Sequence, residues 1–142
     1  YGTHMAGATL FPGVVEFFKA ARERGDMVYI VSHKSRYSNF YKGGADFHAA
    51  AAKWLEEQGF FDSQRIGLSR DQVFFEPERS GKIARIAALG CRLFIDDLIE
   101  VFDEAGFPEG VEKLLFAPQD EAEPKPGIKI CRTWREIKDH LF

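Results

Sequence analysis

The stretch Leu93-Phe94-Ile95-Asp96-Asp97 decides how this chain is read. Three consecutive large apolar residues shortly after Gly90 have the pattern of a short buried strand, and the two carboxylates that follow mark where it leaves the core. Like charges side by side at such a place repel unless a cation or hydrogen-bond donors compensate them. The plain alternative is that one Asp caps a following helix while the other is hydrated. Before this strand, Ser80-Gly81 opens a helix from about Lys82 to Leu89 that stops at Gly90, and Val73-Phe74-Phe75 is a strand candidate ahead of it. Further back, Met27-Val28-Tyr29-Ile30-Val31 is a second continuous apolar run, which predicts a buried strand ending at Ser32. It follows an amphipathic helix in which Val14, Val15, Phe17, Phe18 and Ala21 lie among charges, with Pro12-Gly13 at its start and Gly25 as its stop.

Between these lies a polar, aromatic loop, His33 to Gly44, and a helix that Asp46 caps and Gly59 ends, with Phe47, Ala50, Ala51, Trp54 and Leu55 on its inner face. Beyond Asp97 the pattern predicts a helix from about Leu98 to Glu104 and a strand over 113–116. An acidic, proline-containing loop then leads to a strand at Ile128-Lys129-Ile130-Cys131 and a closing helix from Trp134 to Leu141. Strands alternate with helices throughout, so the expected fold is a three-layer α/β/α, Rossmann-like domain with a mostly parallel sheet. Residues 1–10 form an N-terminal segment and 11–142 the core domain.

Composition narrows the function. With 45% hydrophobic residues and 14 Phe in 142 positions, a sizeable core forms and disorder of the whole chain is excluded. The net charge of -3 gives no electrostatic footprint for general nucleic-acid or anionic-membrane binding. Nor does any apolar run approach the ~18–20 residues of a membrane helix. Two cysteines outside any CxxC pair are too few for a disulfide scaffold, so a reduced, cytoplasmic setting is expected.

Open parallel sheets bind ligands outside the carboxyl ends of their strands, where loops converge. Three features fall there: Ser32, the pair Asp96 and Asp97, and Lys82 near the start of the helix that feeds the acidic strand. Ser32 alone reads as an ordinary loop-starting residue, and Lys82 alone as solvated surface. Together, a hydroxyl and an ammonium suit phosphoryl oxygens, while adjacent carboxylates suit a hard cation such as Mg2+. The loop residues His33, Lys34 and Arg36 concentrate donors beside this position and are candidate substrate contacts through charge-assisted bonds, with simple hydration as the alternative. His48, near Trp54, reads as structural, and Glu78 and Arg79 as surface pairing.

The ordered set Val28 to Ser32, then Lys82, then Leu93 to Asp97, with Lys82 and Asp96 14 positions apart, resembles the second, third and fourth motifs of the haloacid dehalogenase (HAD) superfamily. The Pro12-Gly13 helix is similar to that family's usual helix before the Ser strand, and the resemblance spans roughly residues 11 to 117. It implies a Mg2+-dependent phosphohydrolase that works on a small phosphorylated substrate through an aspartyl-phosphate. Ser32 would bond the phosphoryl group, Lys82 would stabilise phosphate and nucleophile, and Asp97, with Asp96, would hold or orient the metal.

The chain departs from that pattern at the nucleophile. No Asp-x-Asp-x-Thr/Val stands before Ser32, and no Asp precedes Pro12 at all. The family's first, central strand, which lies between the Ser strand and the acidic strand, is thus expected to be missing from this chain, which alone is expected to be inactive. Two explanations are expected: a chain that is part of a longer protein with the nucleophile strand upstream, or a non-catalytic HAD-like binding or regulatory domain. Gly2-Thr3-His4-Met5 reads equally as a cloning scar or as interior sequence. A receiver-like signalling domain fits poorly, because its acidic pair follows the first strand and its hydroxyl and Lys come later.

Overall fold

The structure, a computed structural model, describes residues 10–33, 47–119 and 125–142, and for His33, Phe47 and His48 the backbone alone. In chain order its elements are α1 (Val14–Glu23), β1 (Ile30–His33), α2 (Phe47–Glu57), β2 (Val73–Glu76), α3 (Arg79–Leu89), β3 (Leu93–Asp96), β4 (Glu112–Phe116), β5 (Ile128–Cys131) and α4 (Trp134–Leu141). All strand pairs are parallel: β1 with β2, β3 with β4, and β4 with β5. The described strands thus form two sheets, of two and three strands, rather than one.

Side-chain alternation shows how the two sheets lie. Ile30, Val73, Phe75, Leu93, Ile95, Leu114, Phe116 and Cys131 all pack into one apolar cluster with Val14, Phe17 and Phe18 of α1, Leu55 of α2 and Ile137 of α4. Val31, Phe74, Phe94, Leu115, Ile128 and Ile130, the intervening positions, pack into a second cluster with Ile83 and Ile86 of α3 and with Val101 and Phe102. Because strand residues alternate faces, both sheets occupy one layer between the same two apolar layers. The domain is therefore α/β with parallel strands in three layers.

Local chemistry explains the element ends. Gly13 takes φ +91 ahead of α1, where a Cβ would fall 3.2 Å from the Cβ of Trp134, so glycine permits both the turn and the close approach of α4. Thr133 caps α4, its hydroxyl accepting from the Glu136 N–H at 3.0 Å. Gly90 closes α3 in the left-handed region.

Three expectations need correction. The strand expected over 27–31 begins only at Ile30 and runs through His33, which was expected in the loop. The Gln72 side-chain amide donates to the Val28 carbonyl at 3.0 Å, so a side chain takes the place of a ladder bond, and Met27 is largely exposed. The helix expected over 98–104 shrinks to one 3-10 turn at Ile99–Val101. Leu98 is extended there and its N–H is taken by Asp96, while Val101 and Phe102 turn directly into the core. The Asp46 cap and most of the His33 to Gly44 loop lie outside the described residues. No helix among the described residues is long and apolar enough to cross a membrane.

Candidate functional site

Among the described residues β1 pairs only with β2, and β3 only with β4. The sides of β1 and β3 not used in that pairing border a cleft of about 790 Å3, lined by Ile30, Val31 and Ser32 on one wall and Ile95, Asp96 and Asp97 on the other. Lys82 of α3 also lines it. Ser32 near the end of β1 and Asp96 at the end of β3 both line this cleft, so the carboxyl ends of the two strands come together where the sequence places the candidate chemistry.

The best defined part is the pair formed by Lys82 and Asp96. Lys82 Nζ donates to Asp96 Oδ2 at 2.6 Å, and both side chains are more than nine-tenths buried. Asp96 Oδ1 accepts from the Leu98 N–H at 3.0 Å, so both carboxylate oxygens are engaged. Lys82 lies in the first turn of α3, where the glycine before it lets the helix start close to β2: a Cβ on Gly81 would fall 3.3 Å from Glu76 Oε2. Lys82 also lies 5.4 Å from the centre of the Phe94 ring. An ammonium carries three protons, so one bond to Asp96 leaves donors for a ligand in the cleft.

Asp97 differs from its neighbour. It stands open at the mouth of the cleft, yet lost hydration pushes its carboxyl above the usual carboxylate range. The adjacent Asp96 pushes in the same direction, while Lys82 pulls weakly the other way. A carboxylate strained in this manner gains from a nearby cation. Mg2+ is held by one or two carboxylates together with phosphate and water oxygens, so this donor set fits it, with Asp97 as the less committed ligand and Asp96 beside it. No group of three or more His, Cys, Asp or Glu side chains that could hold a metal comes together among the described residues.

Of the candidate site residues, the structure brings together Ser32, Lys82, Asp96 and Asp97. His33 ends β1, its side chain is not described, and Lys34 and Arg36 lie outside the described residues. Arg79 pairs with Glu104 at 3.0 Å, a partly buried contact. Sequence reasoning missed Phe11, Glu100, Gln119, Lys125 and Trp134, which also line the cleft. Glu100 and Gln119 had a usable signal, since each follows closely on the carboxyl end of a strand. Phe11 had none, because its ring is placed by a contact with Phe116 more than a hundred residues later, at 5.0 Å between centres. Cysteine chemistry has little support: burial raises the thiols of Cys91 and Cys131 above their ordinary range. The chain matches no protein-family model and no curated protein.

Proposed function

We propose that this chain carries the phosphate-holding and metal-holding half of a HAD-type, Mg2+-dependent phosphohydrolase site. The observation that carries this reading is the meeting of Ser32, Lys82, Asp96 and Asp97 at one cleft. In this reading the Ser32 hydroxyl donates to a phosphoryl oxygen and Lys82 offsets the charge that develops on the phosphoryl group. Asp97 and Asp96 hold Mg2+, which supplies charge neutralisation and orientation of the phosphate when bound. The nucleophilic carboxylate would belong to a strand between β1 and β3, and the division of the sheet at that position supports this placement. Without that carboxylate the covalent step has no acceptor, so the 142-residue chain binds but does not turn over.

The test has two parts. The chain is assayed with Mg2+ and p-nitrophenyl phosphate, and inorganic phosphate binding is measured by calorimetry with and without Mg2+. We expect no turnover, together with phosphate binding that strengthens with Mg2+ and weakens about tenfold in Ser32→Ala, the value of roughly one lost hydrogen bond to a charged group. Phosphate binding indifferent to both Mg2+ and Ser32 overturns the site assignment. Robust turnover overturns the need for a further strand. A second reading, a HAD-like binding or regulatory domain, rests on the sequence before Ser32, which holds no Asp-x-Asp-x-Thr/Val. Joining an Asp-x-Asp-x-Thr strand ahead of Leu10 separates the two, since only the enzyme reading expects turnover to appear.

A further inference from the structure

A second hollow, of about 250 Å3, lies on another part of the surface and shares no lining residue with the cleft. Lys19, Arg22 and Glu23 of α1 form one side, and Ser63, Gln64 and Arg65 of the turn after α2 form the other. Three cations and one carboxylate, Glu23, line it, and Asp62 of the same turn accepts from the Gln64 N–H at 2.9 Å, so one positive charge remains in excess. None of Lys19, Arg22 and Arg65 has a carboxylate of a described residue within ion-pair distance, whereas Arg24, Lys53, Arg70, Arg79 and Arg85 each do. Position at the end of a helix accounts for one basic residue, Arg22, through the helix dipole. It does not account for Arg65, which comes from a different segment.

One of the cations is anchored by a hydrogen bond, and a second packs along the backbone. Arg22 Nη1 donates to the Ser63 carbonyl at 2.8 Å and lies over Gly67, where φ is +76 and a Cβ would fall 2.4 Å from that nitrogen. Arg65 lies across Gly59, where φ is +83 and a Cβ would fall 2.6 Å from its Cδ. The space two side chains would occupy is thus filled by the arms of two arginines that border one hollow. Guanidinium groups pair well with tetrahedral oxyanions, and holding them beforehand lowers the entropy lost on binding. Ser63 and Gln64, both polar, line the same hollow.

We propose that this hollow binds a phosphate-class oxyanion, independently of the cleft and of the function proposed for it. The test is a two-dimensional amide NMR titration of the 142-residue chain with sodium phosphate, with phosphoserine, and with sodium chloride at matched ionic strength. Saturable shifts at Ser63, Gln64 and Gly67 are expected with phosphate or phosphoserine and not with chloride. They are expected to weaken at least tenfold in the Arg22→Gln, Arg65→Gln double variant and to be unchanged in Ser32→Ala, which reports only on the cleft. Saturation with both anions identifies free phosphate as sufficient, and saturation with phosphoserine alone identifies an organic phosphate. Shifts that follow ionic strength alone, or that survive the double variant, overturn the proposal.

Discussion

The two walls of the cleft end in opposite ways. On the β3 wall a buried carboxylate finishes the strand, with both oxygens engaged by Lys82 and by the Leu98 N–H. On the β1 wall the last described side chain is a half-buried hydroxyl, Ser32. The charged ending therefore depends on a helix that belongs to both halves: α3 packs on β1 and β2 and sends Lys82 to β3. This difference teaches that α3 is the strut across the divided sheet, and that the lysine proposed to contact the phosphoryl group is also structural.

Breaking that strut is expected to have the largest effect. Lys82→Met leaves Asp96 as a buried carboxylate without its cation, and removing one partner of a buried pair costs about 3–5 kcal/mol. Urea denaturation with folding followed by tryptophan fluorescence measures it. A loss below about 1 kcal/mol would show that water reaches Asp96 readily and that the pair is not buried in solution.

Next comes a contrast between the sheets themselves. Leu114, in β4 of the three-stranded sheet, is fully buried, and Leu114→Ala is expected to cost about 2–5 kcal/mol through lost burial and the cavity left behind. Val73, in β2 of the two-stranded sheet, is only partly buried, and Val73→Ala is expected to cost about 1 kcal/mol. Denaturation midpoints for the two variants test the ordering. Equal losses would mean that the two-stranded sheet is packed as tightly as its neighbour, and the division between them would lose its energetic meaning.

What the sequence made legible follows from how local each signal is. The closing helix 134–141 and the strand 128–131 were readable because the apolar spacing that marks each lies within a few residues. The meeting of Ser32, Lys82 and Asp96 was readable for a different reason: strand ends in a parallel sheet converge by topology, whatever the side chains. The stretch 98–104 reads as a helix because Leu98, Ile99, Val101 and Phe102 suit one by spacing, and only the tertiary structure shows that Asp96 takes the Leu98 N–H and that Val101 and Phe102 enter the core instead. The start of β1 is not legible in the sequence, because a side chain 44 positions away, Gln72, intercepts the Val28 carbonyl. The basic hollow was invisible to pattern reading, since Arg22 and Arg65 are ordinary surface residues until the chain folds them together.

The smallest expected effect sharpens the contrast between Asp96 and Asp97, neighbours on one wall. Lost hydration first, and Asp96 second, raise the carboxyl of Asp97 above its usual range. A carboxyl whose folded value is raised holds its proton more tightly in the native state than in the unfolded chain. Its stabilising contribution is therefore present below the ordinary carboxylate range and is lost as pH rises through the raised folded value. At neutral pH the ionised Asp97 is thus a mild burden on the fold, and Asp97→Asn, which cannot ionise, is expected to be slightly more stable than the parent in metal-free buffer. The advantage should shrink as pH falls through the carboxylate range, because the parent then carries a neutral acid at the same place. Denaturation midpoints of both proteins across that range, with a chelator present, read the difference. Added Mg2+ should then reverse the order at neutral pH, since a bound cation stabilises only the chain that retains the carboxylate. A variant less stable than the parent at neutral pH without metal would instead make Asp97 a structural partner, and the uncommitted ligand on this wall would have to be sought elsewhere.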